Sequence, residues 1–310
     1  RQRRGMLSYL TRRLLQAVPV MLGVLVVTFA VTRFTPGDPA EIMAGLEATP
    51  EAVASIRAEL RLDEPIAVQF VIYLRDVVQG DLGRSYFLGR DVTELIGEAL
   101  PRTVLLALVA LAFTTLVGVP AGILSAVRRD SWLDGATRGS ALLGVSIPPF
   151  FAGLLAILLF SYYVRWFPSF GTGTWKHLVL PGVTLGLFST GLVMRLTRST
   201  ILDVLNEDYI RTARAKGLSE RMMVNRHALR NALIPIIALM GLDLGYIVGG
   251  AVVIEAVFAR PGIGDMMLRA IYARDFPVLQ GCMFVLSLAI ILSNILADLA
   301  YVVVDPRIRH

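Results

Sequence analysis

Charge is scarce in this 310-residue chain: Asp, Glu, Lys and Arg together make up 17% of it, against 55% hydrophobic residues. A soluble globular domain has about 25% charged residues. With a mean hydropathy of +0.65, that class is excluded. Cysteine is nearly missing as well. The single Cys282 cannot form an intramolecular disulfide and lies in an apolar run, so it reads as core packing and says nothing about compartment. Three histidines, His177, His227 and His310, stand too far apart for a metal site. The chain has no Gly-x-x-x-x-Gly-Lys-Ser/Thr to hold nucleotide phosphates, no His-Glu-x-x-His and no Gly-x-Ser-x-Gly. No internal repeat and no low-complexity tract is present.

Apolar runs are plentiful, and several reach the roughly 20 residues needed to cross a bilayer. They predict six spans, at about 14–34, 103–127, 140–163, 178–195, 233–258 and 278–304. The fourth is interrupted by Pro181, Gly182, Gly186 and Gly191, which membrane helices tolerate when neighbours cover the backbone. The first run is longer than a signal-peptide core and is read as a retained span. The fold class is an all-α integral membrane protein. The net charge of +6 reflects basic residues beside the spans, not a nucleic-acid surface.

Orientation follows from Lys and Arg in the short loops. Arg1, Arg3, Arg4, Arg12 and Arg13 share a side with Arg128, Arg129 and Arg138, and with Arg307 and Arg309. Eight more basic residues lie on that side between Arg195 and Arg230. Both termini and the loop 196–232 are therefore expected in the cytoplasm. The external segment 35–100 holds twelve acids and five bases. Thr49 and Pro50 start one helix there, and Glu64 and Pro65 another with Ile66, Phe70, Tyr73 and Val77 on one face. Residues 80–85 read as a turn, and Asp91 as the cap of a helix leading into the second span. Three regions result: N-terminus and first span (1–34), external helical insertion (35–100), and transmembrane core (101–310) with its cytoplasmic loop.

That loop holds the most informative segment, from Asp208 to Pro235. Helix-prone residues, among them Asp208, Tyr209, Arg211, Thr212, Ala213, Ala215 and Lys216, lead to Gly217, which can take the left-handed conformation that ends a helix. Ser219 caps the next helix, with Glu220 in its first turn. Leu218, Met222, Leu229 and Leu233 then fall near one face. Two short helices around a glycine elbow at the membrane surface form a docking element. An ordinary basic loop has the same composition.

Within the spans, Gly241, Gly245 and Gly249 form a stripe beside Gly250, and Gly118/Gly122 and Gly182/Gly186 form pairs. Such spacing lets helix backbones approach, within a chain or between chains. Asp243 lies near the middle of the fifth span, where an ionisable group is expected to face a cavity or a partner. It reads either as a point on a translocation path or as a structural carboxylate. Glu255 and Asp298, closer to span ends, read as snorkelling or structurally paired.

The Asp208–Pro235 segment resembles the EAA loop of binding-protein-dependent ABC importer permeases. Arg211, Thr212 and Ala213 stand where many members have Glu-Ala-Ala, in the manner of the peptide and nickel branch, and Gly217 matches the loop glycine. The stretches Leu14–Pro19, Thr35–Pro39, Gly80–Ser85, Phe258–Gly264 and Asp305–Arg309 are similar to the B-type dipeptide and oligopeptide permease. Asp243 stands where a neutral polar residue is expected. The resemblance implies a six-helix type I importer permease in the bacterial cytoplasmic membrane, without catalysis and without a cofactor of its own. It implies a second homologous permease, two ATPase subunits holding ATP and Mg, and an external substrate-binding protein. The loop residues Asp208 to Ser219 would couple to the ATPases, and Gly241, Asp243, Gly245 and Gly249 would lie at the path or a helix interface. The cargo is expected to be a dipeptide or oligopeptide, with nickel, glutathione or haem as alternatives. A stand-alone secondary transporter or channel is the competing class, and an intramembrane hydrolase, lacking an evident nucleophile and base, a third.

Overall fold

The computed structural model describes residues 2–35, 37–45, 48–219, 222–223 and 228–304. Helices dominate these residues. They are α1 (Gln2–Phe34), α2 (Pro39–Ala44), α3 (Pro50–Glu59), α4 (Ile66–Val78), α5 (Val92–Phe113), α6 (Val119–Val127), α7 (Trp132–Ser146) and α8 (Pro149–Ala156). They continue as α9 (Lys176–Leu205), α10 (Asp208–Ala215), α11 (Leu229–Val257), α12 (Ile263–Ala273) and α13 (Phe276–Val304). Wider π-helical turns occupy Thr114–Gly118, between α5 and α6, and Ile157–Tyr163, after α8.

Among the described residues, five stretches are long and apolar enough to cross a membrane: Arg13–Phe34, Val92–Val127, Lys176–Leu205, Ala232–Val257 and Phe276–Ala300. The third expected span is not one helix. It is the pair α7 and α8, bent by 109° at Ile147 and Pro148. Both Pro148 and Pro149 lack the N–H that would continue the ladder, and each disfavours helix in the residue before it. Counting this broken span gives six. The second span also starts earlier than expected, because the external helix after Asp91 runs into it without a stop.

Two compact units are formed, one from Arg1–Thr103 with Pro261–Ala289, the other from Val104–Arg260 with Ile290–His310. In the first, Asp38 caps α2, accepting from the Ala40 N–H at 2.9 Å, and pairs with Arg57. Thr49 caps α3, accepting from the Ala52 N–H. Val77 of α4 is buried while Ile66 is exposed, and Phe70 and Tyr73 meet Phe29 of α1 at 5.2 and 5.7 Å between ring centroids. The 80–85 turn has left-handed glycines at Gly80 (φ +83) and Gly83 (φ +82). It delivers Ser85, whose hydroxyl donates to Asp275 Oδ2 at 2.5 Å while the Tyr86 N–H donates to Oδ1 at 3.2 Å. Burial pushes the Tyr86 phenol up to about 12, with Arg33 opposing.

In the second unit α9 is the hub. Its glycines, which read as interruptions in the sequence, are where neighbouring backbones press closest. A Cβ on Gly182 would lie 2.4 Å from Val109 Cγ1, one on Gly186 2.7 Å from the Ala110 carbonyl, and one on Gly191 2.6 Å from the Ala141 carbonyl. Gly118 and Gly122 bring α6 onto the same helix, against Val193 and Thr197. Pro181 is accommodated inside a continuous 30-residue helix. A core of Leu106, Ala110, Leu185, Ile247, Ile254 and Phe258 joins α5, α9 and α11.

Candidate functional site

The first helix of the loop after α9 and the left-handed Gly217 take the expected form, and most of the second helix lies outside the described residues. α10 carries Asp208, Tyr209, Arg211, Thr212, Ala213 and Ala215. It buries Ile210 completely, while Asp208, Tyr209, Arg211, Thr212 and Ala215 are exposed. The Thr212 hydroxyl donates to the Asp208 carbonyl at 3.0 Å, and Arg211 stands 3.5 Å from the Asp208 carboxylate. Lys216 ends the helix, its N–H donating to the Thr212 carbonyl, and the Gly217 N–H donates to that of Arg214. Gly217 has φ +82, and a Cβ there would meet nothing within 4 Å. The glycine is required by backbone conformation, not by space.

Leu218 is half-buried and Ser219 exposed. Ser219 accepts from the Met222 N–H through Oγ at 3.4 Å and from the Met222 and Met223 N–H groups through its carbonyl at 3.0 Å. Glu220 and His227 lie outside the described residues. Met222 was expected on one apolar face with Leu218, Leu229 and Leu233. Instead it is exposed, and Met223 is fully buried. Beneath the loop, Ala126, Val193, Ile201, Ala228, Ala232 and Ile236 form a second core. α10 thus presents a polar, exposed surface from an anchored platform.

The platform holds a cluster that sequence reasoning missed. Asp134 of α7 is fully buried, and Arg198 of α9 grips it with Nε at 2.8 Å and Nη2 at 2.9 Å. The Ser125 hydroxyl donates to Oδ1 at 2.5 Å, the Asp130 N–H donates to Oδ2 at 3.0 Å, and Arg138 stands 3.6 Å away. The one sequence signal was Ser131, which caps α7 by accepting from the Asp134 N–H at 3.3 Å. Arg198 was counted only among the basic residues of the cytoplasmic side.

The proposed path residues separate. A Cβ on Gly241 would lie 2.4 Å from Ala297 Cβ on α13, and one on Gly245 3.3 Å from Asn294 Oδ1, whereas Gly249 meets open space. Gly241 and Gly245 therefore pack within the chain. Asp243 is buried and faces Ser189 of α9. Neither Asp243 Oδ2 nor Ser189 Oγ has a hydrogen-bond partner among the described residues. One turn on, Tyr246 stacks on Phe188 at 4.8 Å. Glu255 is wholly buried, which rules out snorkelling. The Phe258–Gly264 stretch turns through Ala259 (φ +44), its Arg260 N–H donating to the Glu255 carbonyl at 2.8 Å.

A family described as the binding-protein-dependent transport system inner membrane component matches residues 118–310, and its N-terminal counterpart matches residues 6–108. The chain belongs to this family. A Brucella abortus permease named for peptide transport is 44% identical over 98% of this chain and all of its own length. The glutathione transport system permease protein GsiC of Salmonella typhimurium is 41% identical over 98% of this chain and its whole length. The inward-facing MetNI methionine ABC transporter shares the fold, with a TM-score of 0.58 at 19% identity, covering 68% of this chain and 96% of that one. The protein is an ABC importer permease of the peptide and nickel family, with type I architecture.

Proposed function

We propose that this permease takes up dipeptides or oligopeptides delivered by an external substrate-binding protein, driven by two cytoplasmic ATPase subunits and paired with a second homologous permease. The observation that carries the reading is the exposed α10 with its left-handed Gly217, held on a buried platform. ATP closes the ATPase pair, α10 follows, and the platform passes the motion to α9 and α11. ATP and cargo then bias the same two states, inward-facing and outward-facing. The permease contributes no catalysis, and ATP with Mg resides in the ATPases. It sits in the bacterial inner membrane with both termini in the cytoplasm, a reading supported by the Lys and Arg distribution.

Peptide cargo is supported by the 44% identical relative named for peptide transport. Glutathione is the second reading, supported by the relative at 41%, and it too is peptide-like. Asp243 and Ser189, two buried polar groups facing each other, are proposed to meet the polar or cationic part of the cargo on its path.

The test is reconstitution of the chain with its genomic partner subunits in vesicles. ATP-dependent uptake that requires the binding protein supports the reading. Ion-gradient uptake by the chain alone overturns it. Mass spectrometry of the ligand carried by the co-purified binding protein then names the cargo.

A further inference from the structure

The break in the third span has chemical consequences that a packed helix does not. Ile147 (φ −87, ψ 123) is extended, and Pro148 (φ −57, ψ 137) precedes α8. Pro148 and Pro149 bring no N–H, so the carbonyls of Gly144 and Val145 lose the donors four residues on. The N–H groups of Phe150 and Phe151, first in α8, have no acceptor within that helix. The break also lies deep. A Cβ on Gly144, before the break, would sit 3.0 Å from the Leu187 carbonyl, and one on Gly153, after it, 3.1 Å from Val257 Cγ1 and 3.5 Å from Thr184 Cγ2, so the break is level with the apolar stretch of α9 between Thr184 and Leu187. Ser146, Pro148 and Phe150 are nevertheless exposed on the chain. Opened backbone at this depth is not tolerated against lipid, only where protein covers it or water reaches it. A continuous helix of a neighbouring chain has already bonded its own N–H groups internally and cannot satisfy these carbonyls. Water can.

We infer that the Ser146–Phe150 break lines the water-filled route through the assembled transporter. The inference rests on the permease reading above. Carbonyls of Gly144 and Val145 beside the Ser146 hydroxyl form a lining that takes hydrogen-bond donors, such as the amide N–H groups and ammonium of a peptide-like solute. Discontinuous spans build solute sites in other transporters by the same means.

The buried Cys282 makes a direct test possible, because its own labelling background is low. Ser146→Cys and Phe150→Cys are introduced separately, with Val27→Cys, exposed within the first span Arg13–Phe34, as reference. Each is assembled with its partner subunits in vesicles and treated with a small cationic methanethiosulfonate. Thiolate forms only where water reaches, so the two break cysteines are expected to react at least about tenfold faster than Val27→Cys. Labelling is also expected to block uptake. Reaction no faster than the reference at both positions overturns the inference, whether lipid or the second permease covers the break. The parent complex, assayed for ATP-driven uptake in the same vesicles, separates the two levels. Normal uptake with unreactive break cysteines sinks the inference alone, whereas a parent without ATP-driven uptake overturns the permease reading and the inference with it.

Discussion

Replacing Asp134 by alanine probes whether the cytoplasmic ends of α6, α7 and α9 act as one block. The carboxylate is fully buried, while the Arg198 side chain is 21% exposed. Removing one partner of a buried ion pair costs about 3–5 kcal/mol. The partial exposure of Arg198 lets water recover some of its hydration, which favours the lower end. The Ser125 hydroxyl and the Asp130 N–H lose their acceptor as well, at about 1 kcal/mol each. The sum, about 5 kcal/mol, is a large fraction of the stability of an ordinary domain. Replacing both partners, as Asp134→Leu with Arg198→Met, removes the uncompensated charge. That double variant is expected to lie within about 2 kcal/mol of the parent. Two measurements check this: the melting of the purified complex, and the solute transported per ATP hydrolysed. Asp134→Ala should melt far below the parent and lose coupling, since α9 leads directly into α10. The double variant should recover the melt. Should Asp134→Ala melt like the parent, or the double variant fare as badly as the single one, the ion pair is not what holds the block together.

Three further outcomes are expected. Gly217→Val forces a β-branched residue into the left-handed region at about 1–2 kcal/mol; with no neighbour to clash with, it should leave insertion intact and lower uptake per ATP, and unimpaired uptake would contradict the elbow. Gly241→Leu should lower the melt by about 1–3 kcal/mol through overpacking against Ala297, whereas Gly249→Leu should leave it unchanged; equal melts refute the intrachain contact. Asp243→Asn keeps the shape and removes the possible charge, so the uptake ratio of a cationic to a neutral peptide should shift, and an unchanged ratio removes Asp243 from the path.

Local signals in the sequence were dependable where one residue has one job. Thr49, Gly217 and Ser219 cap or end helices because their chemistry leaves few alternatives, and each was legible in advance. Hydropathy located the spans because the bilayer imposes a length. It was blind to their course, since Pro148 and Pro149 lie inside an apolar run that gives no sign of a 109° turn. Of the α9 glycines, Gly182 and Gly186 read as a close-contact pair, which the structure bears out, whereas Gly191 read only as an interruption. A glycine that breaks a helix and one that admits a neighbour look alike until the neighbour is present. Asp134 was missed because its charged partner Arg198 comes from another helix, 64 residues away, and no spacing rule links the two. Met222, put on one face with Leu218, Leu229 and Leu233 by period alone, is exposed.

The π-helical turn at Thr114–Gly118 has a bearing on how this chain tolerates insertions and deletions. Pro120 supplies no N–H to the carbonyl of Leu116, and the helix accommodates the gap by winding wide. The extra residue sets the rotational phase of everything after it. Deleting one residue there would let the helix close to the ordinary pitch and rotate α6 by about 100° relative to α5. Gly118 and Gly122 would swing away from Val193 and Thr197, and bulkier side chains would be driven into α9. A change that shortens the chain by one residue in 310 would thus act as a twist of a whole helix.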